Sequence, residues 1–398
     1  MFPLSVFLNK IIRFGTLTVI DAGGESHVFA GAKGPEATIR LHDAALPWRL
    51  FSNPPLAAGE AYMDGALTVE GGELYDFLWL VTKNLEWRPD NPFHNSGNDP
   101  WTRFKTWFSQ TNPAARSKQN VAHHYDLSGE LYDLFLDEDR QYSCAFFRTP
   151  KDTLEQAQEN KKAIVAKKLL LKKNMRVLDI GSGWGGLGLY IHKKSGAHVT
   201  GITLSEEQLA LSRRRAEKAG VAARVDFRLQ DYREMHERFD RIVSVGMFEH
   251  VGRKNYRTFF NKVYECLADD GVALLHTIGR ADGPGATDPW TAKYIFPGGY
   301  TPSLSELAPA IERAGLYVTD IEIWRLHYAE TLKEWRKRAQ KNRAKIEKLY
   351  DARFFRMWEF YLASAECAFR NLGHVVFQIQ LSRARDAVPL TRDYMLKK

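Results

Sequence analysis

Three cysteines in 398 residues, Cys144, Cys266 and Cys367, are odd in number and widely spaced. They argue against a disulfide framework and fit a reducing compartment, so a cytoplasmic protein is expected. There is no run of about 18 uninterrupted apolar residues, and no spanning helix is expected. The start, MFPLSVFLNKIIRFG, lacks a basic stretch before its apolar part and lacks a small-residue cleavage site; no secretory signal is read there. Acidic charge is in deficit, 48 Asp and Glu against 56 Lys and Arg, for a net charge of +8. That balance points to an anionic partner, either nucleic acid or an acidic membrane surface. What is present, 44% hydrophobic and 26% charged residues, describes an ordinary globular protein with room for two or three domains.

Residues 1–82 read as an α+β module. Short alternating runs at 16–20, 27–29 and 37–41 predict strands, the first two joined by the turn Asp21-Ala22-Gly23-Gly24. A helix near 55–64, a strand at 67–69 and a helix from Leu74 follow. The stretch AYMDGALTVEGGEL (61–74) resembles the sterol-carrier type of lipid-binding fold. Residues 83–120 form a linker, rich in Pro, Asn and Gly at 88–100, and an amphipathic segment, WTRFKTWF at 101–108, whose aromatics beside basic residues suit a membrane interface. From residue 150 a strand–helix alternation runs to the end, with a long helical stretch at 328–370. Such units give a doubly wound, mainly parallel sheet. The Lys/Arg-rich helical patches at 161–173 and 333–348 read as solvated faces.

The chemistry concentrates where strands end. In MRVLDIGSGWGG (175–186) an apolar run closes on Asp179 and breaks into Gly181, Gly183, Gly185 and Gly186, a buried strand feeding a glycine turn that opens a helix. Such a turn lets backbone approach a flat, polar ligand. A nicotinamide site wants an acidic residue at the end of the next strand; that position carries Thr203, with Gln208 one helical turn on, which disfavours NAD. Later strand ends deliver Asp231-Tyr232, Glu249-His250 and His276.

Those residues bring out a family resemblance. HHYDL (123–127), YSCAFF (142–147), VLDIGSGWGG (177–186), GITLSEEQ (201–208), MFEHVG (247–252), HTIG (276–279), YIFPGG (294–299) and AECAF (365–369) resemble, in order, the marks of the cyclopropane-fatty-acid synthases, which use S-adenosylmethionine (SAM). The resemblance implies a class I SAM-dependent methyltransferase domain with a helical lid insertion, at 121–398. It implies methyl transfer to a cis double bond of a phospholipid acyl chain, followed by ring closure. For the cosubstrate it implies Tyr142, Ser143, Asp179, Gly181, Ser182, Gly183, Gly185, Thr203, Leu204, Gln208, Tyr232 and Arg233. For the chemistry it implies a bicarbonate ion as proton acceptor, held by Cys144, Glu249, His276, the backbone of Ile278 and Tyr328; Cys367 is a candidate nucleophile, against the reading of a buried thiol that packs on helix 351–370, and no metal is expected. Phe354, Phe355, Met357, Trp358, Phe360, Tyr361 and Phe369 are expected to contribute to the wall of an acyl tunnel. The expected partners are unsaturated phospholipid, an anionic bilayer touched peripherally at its inner face, and a second copy as a homodimer.

Two rivals share the composition but not the motifs. An amino-methylating nucleic-acid enzyme carries Asn/Asp-Pro-Pro-aromatic after the fourth strand; here that position reads GMFEH, so no nucleic acid is expected. A non-catalytic lipid-binding protein would not need an unbroken glycine loop. Loss of a different proton, giving a methylene- or methyl-branched chain, is separated from ring closure by no short motif.

Overall fold

The computed structural model describes residues 1–86 and 127–396. The linker at 88–100, the segment at 101–108 and the first four residues of HHYDL lie outside them. The described chain forms two compact units.

The first unit is built on a four-stranded sheet in the order β2-β1-β3-β4, from β1 (Phe14–Ile20), β2 (Ser26–Ala30), β3 (Ala32–Leu41) and β4 (Leu67–Glu70). β1 and β2 form the expected hairpin, and β3 runs parallel to β1. The helices Pro54–Asp64 and Leu74–Asn84 stand where the sequence places them. The unit also takes in residues 286–297 and 329–374, so it extends well past the module read at 1–82. Helix Ala352–Asn371 lies on both of those helices. Tyr62 donates to Glu359 at 2.6 Å, Arg356 Nε donates to the Met63 carbonyl at 2.7 Å, and Asn371 donates to Thr82 at 2.9 Å. The spacing of Arg356, Glu359, Phe360 and Asn371 puts them on one face of the helix.

The long helical stretch is three helices, His327–Lys341, Arg343–Leu349 and Ala352–Asn371, the last capped by Asp351, which accepts from the Phe354 N–H at 2.6 Å. Five of its seven tunnel candidates, Phe355, Trp358, Phe360, Tyr361 and Phe369, are buried. Phe360 packs on Tyr62 and Trp290, and Tyr361 on Phe296, so this aromatic surface has partners within its own unit. Arg336, in a stretch expected to be solvated, is buried between Glu366 at 3.1 Å and Glu73 at 3.0 Å.

The second unit is a seven-stranded sheet. Its strands are β5 (Arg176–Ile180), β6 (His198–Thr203), β7 (Val225–Leu229), β8 (Phe239–Val245), β9 (Leu267–Arg280), β10 (Tyr317–Trp324) and β11 (His374–Ser382), in the order β10-β11-β9-β8-β5-β6-β7. Five neighbours, β9-β8-β5-β6-β7, pair in parallel, and β10 pairs with β11 antiparallel. β5 and β8 are apolar and buried along most of their length because helices cover both faces, the burial that parallel strands require. The order reverses beside β5, which puts the carboxyl ends of β5, β6 and β8 around one crevice.

Candidate active site

That crevice is a cavity of about 1160 Å³ counted to its open mouth. Of the twelve residues expected to hold SAM, eleven line it: Tyr142, Ser143, Asp179, Gly181, Ser182, Gly183, Thr203, Leu204, Gln208, Tyr232 and Arg233. The twelfth, Gly185, works from beneath. It starts helix Gly186–Ser195 at φ +83°, and a Cβ there would stand 2.7 Å from the Phe227 ring and 2.8 Å from the Ser212 side chain. Gly183, at φ +53°, has nothing within 4 Å of where a Cβ would be. One glycine lets the helix dock and the other keeps the floor bare.

The walls are braced by hydrogen bonds that leave selected groups open. Thr203 donates to Gln208 at 2.8 Å, and Asp231 clamps Arg233 through Nε at 2.9 Å and a terminal nitrogen at 2.5 Å. Beneath the 141–143 strip, helix Leu154–Lys168 supplies two buried side chains. Gln158 donates to the carbonyls of Gln141 and Ser143, at 3.1 and 2.9 Å. Lys161 donates to Gln141 Oε1 at 2.5 Å and Ser143 Oγ at 2.8 Å. Lys161 and Lys168, read from the sequence as part of a solvated face, are both buried; the partners of Lys161 lie inside, whereas Lys168 pairs with the part-exposed carboxylate of Glu322. Burial brings the Lys161 ammonium down to about 8, with Asp137 opposing that shift. Asp179 Oδ2, Ser182 Oγ and Trp184 Nε1 are buried without a hydrogen-bond partner among the described residues. Burial pushes the Asp179 carboxyl up to about 7, offset in part by Lys161. Unclaimed polar atoms over a bare glycine floor suit a ligand with its own donors and acceptors.

The residues expected to carry chemistry lie beyond the cavity lining. Glu249 is in the turn Phe248–His250 that follows β8. Its Oε1 accepts the Ile278 N–H at 2.6 Å, so that backbone donor is already engaged; its Oε2 is buried with no partner among the described residues. Burial raises the Glu249 carboxyl above the usual carboxylate range, and the Ile278 N–H pulls part of the way back. Arg253 pairs with Glu306 at 3.0 Å. His276, on β9, is buried, and its carbonyl accepts the N–H of Gly246 at the cavity wall, 2.9 Å away. Cys144 is fully buried, with Sγ 3.3 Å from the Ala145 carbonyl.

Trp324, at the end of β10, draws the rest together. Its ring lies 4.8 Å from Phe146, 5.2 Å from His276 and 5.6 Å from His327. His327 stacks on Phe146 at 4.3 Å and accepts the Phe147 N–H at 3.2 Å, which anchors the adjoining, buried Tyr328 beside the Cys144 segment. Trp324 was not singled out from the sequence, nor were the cavity-lining Trp184 and Met247, and His250, named beside Glu249, was given no role. Glu249's neighbour His250 offered one signal, as a titratable group one residue past a strand-end turn; burial lowers it to about 4, a neutral ring at the wall. Cys367 belongs to the first unit and is buried there. Burial, with Glu366 next, pushes its thiol up to about 12, which keeps it protonated and unreactive.

The family model described as mycolic acid cyclopropane synthetase matches residues 112–379. The chain is 35% identical over 382 residues to a probable fatty acid methyltransferase of Pseudomonas putida, spanning 91% of this chain and 92% of that one. It is 37% identical over 347 residues to the cyclopropane-fatty-acyl-phospholipid synthase of Escherichia coli K12, spanning 87% and 88%. Among solved structures, the cyclopropane synthase MmaA2 from Mycobacterium tuberculosis superposes with a TM-score of 0.64 at 31% identity, over 68% of this chain and 99% of that one. The mycolic acid cyclopropane synthase CmaA1, complexed with SAH and CTAB, gives a TM-score of 0.63 at 32% identity, over 68% and 98%. Matched over most of its own length and over nearly all of theirs, the chain belongs to the mycolic acid cyclopropane synthetase family and is a SAM-dependent methyltransferase.

Proposed function

We propose that the enzyme acts on an unsaturated phospholipid, moving the methyl carbon of SAM to a cis double bond of an acyl chain and closing a cyclopropane ring. The observation that carries this reading is Glu249: a buried carboxyl, fixed through one oxygen by Ile278, with its other oxygen unclaimed.

The π electrons of the alkene form the new carbon–carbon bond as the carbon–sulfur bond breaks, leaving a carbocation on the other alkene carbon. A C–H bond of the transferred carbon then supplies the pair that closes the ring, and its proton leaves. An alkene is a feeble nucleophile, so alignment supplies much of the rate. The braced 141–143 strip and the glycine floor fit that task. Water has to be kept out, since it would trap the cation as an alcohol. Cys144, Glu249, His276, Ile278 and Tyr328 would hold the bicarbonate ion, which when bound supplies the proton acceptor. The raised Glu249 carboxyl suits an anion beside it, because a protonated or proton-sharing carboxyl donates where a bare one would repel.

Peripheral contact with an anionic bilayer on the cytoplasmic side is part of the same reading. Among the described residues no helix is long and apolar enough to cross a membrane. In the first unit, Phe2 just before helix Leu4–Ile11, Val6 on that helix, and Trp48 and Phe51 on helix Leu46–Ser52 are exposed. Phe7 joins the two helices by packing on Phe51, ring centroids 6.3 Å apart. Lys10 and Arg13 flank this patch and are exposed. Aromatics beside basic residues suit the headgroup boundary of an acidic membrane.

A second reading, a methyl-branched or methylene product, is favoured by the likeness to the Pseudomonas relative, a probable fatty acid methyltransferase. One assay decides between them. Incubated with methyl-labelled SAM and vesicles of monounsaturated phospholipid, the enzyme is expected to give acyl chains with upfield cyclopropyl protons. Olefinic methylene protons, or a new branched methyl signal, would overturn the ring.

A further inference from the structure

Gln378, on β11, is fully buried, and its amide Nε2 lies 3.0 Å from Nδ1 of His276. An amide nitrogen only donates, so Nδ1 is the accepting, bare nitrogen of the ring. The single proton of the neutral imidazole then sits on Nε2. Turning the amide over would be worse. It would move the NH2 to where Gln378 Oε1 now sits, a buried position with no hydrogen-bond partner among the described residues. One unmet acceptor would be exchanged for unmet donors.

The rest of the surroundings hold the ring in the same state. Trp324 meets it edge to face, and β9 ties it to Gly246 through the backbone. Burial, followed by the positive charges of Lys161 and Lys168, keeps the imidazole far below its ordinary value, so it stays neutral.

We propose that Gln378 is a positioning residue for the reaction: it fixes His276 as the Nε2–H tautomer, so that the histidine serves as a hydrogen-bond donor and not as a base. The inference rests on the reading that puts His276 among the residues holding the proton acceptor. It adds a division of labour to that reading. A donor of fixed direction steadies an anion or a carboxyl oxygen, and the accepting nitrogen is blocked by the amide, so the proton from the ring carbon goes elsewhere.

The test is made on the full chain labelled with 15N-histidine, using long-range proton–nitrogen correlation, with His276 identified by its loss in His276→Gln. The expected wild-type spectrum shows His276 with a protonated Nε2 and a bare Nδ1. In Gln378→Met, which nearly keeps the volume and removes the donor, an Nδ1–H signal should appear. There kcat should fall about tenfold while KM for SAM stays within about twofold. Gln378→Leu provides the same reading with different packing. A protonated Nδ1 in the wild type would overturn the proposal. So would an unchanged tautomer in both variants, or a changed tautomer with undiminished kcat. The spectrum needs no substrate, so an error in the assigned reaction would show as absent wild-type turnover and not as an altered tautomer.

Discussion

Glu249 and Ile278 are 29 positions apart in the chain and 2.6 Å apart in space, and that single hydrogen bond defines what a substitution can ask. Glu249→Gln keeps an oxygen for the Ile278 N–H and changes only the unclaimed end of the side chain. Turnover should drop by about a thousandfold while the Kd for SAM, measured by titration, stays nearly constant; retained turnover would remove Glu249 from the mechanism. Asp179 offers a test by pH. Its carboxyl stands at about 7 in the folded chain against 3.8 in an open one. Between those values the folded state holds a proton that the unfolded state releases, so stability falls as pH rises from about 4 to about 7. Asp179→Asn should lack this slope. In denaturant titrations the wild type should lose ground to the variant by at most about 1.4 kcal/mol per pH unit across that window. Both carboxyls were visible in the sequence as polar residues ending apolar runs. Lys161 and Lys168 were misread because residue type was weighed above spacing. Leu154, Ala157, Gln158, Lys161, Val165 and Lys168 fall on one helical stripe, and all are buried.

The glycine turn after β5 is the element on which SAM binding depends. Gly185→Ala would place a methyl against Phe227 and Ser212 in a backbone conformation that alanine resists. A loss of about 2 kcal/mol in stability is expected, with weaker SAM binding; an unchanged thermal midpoint would show that the helix can shift. The central strands of the second sheet, β5, β8 and β9, were readable because burial on both faces writes a largely apolar run. Short helices were not. Leu46–Ser52 and Pro289–Tyr294 carry proline in their first turn, a good helix start that reads as a loop in isolation. The breaks at Asn342 and near Asp351 vanished into one helical stretch because apolar periodicity runs on through them.

Across the whole molecule, the division into units follows packing and not chain order. Removing residues 1–82 would strip the cover from helix Ala352–Asn371, so truncation confounds lipid contact with unfolding. Point changes are cleaner. Trp48→Ser with Phe51→Ser should lower binding to anionic vesicles about tenfold, leave activity on dispersed lipid intact and leave the fold unchanged by circular dichroism. Wild-type vesicle binding should also weaken as salt rises. Undiminished binding by the double variant would rule out this patch. The net charge predicted an anionic partner, but no sequence pattern showed that the exposed Trp48 and Phe51 would stand beside helix Leu4–Ile11, since two helices separated by a sheet have to meet first.

The same packing has a consequence during synthesis. Helix Leu74–Asn84 leaves the ribosome 287 residues before Asn371, the last residue of the helix that covers it. At typical elongation rates that interval lasts roughly 15–60 s. Through it the nascent amino-terminal sheet carries an apolar helical face with nothing to shield it, the condition under which a growing chain attracts chaperones.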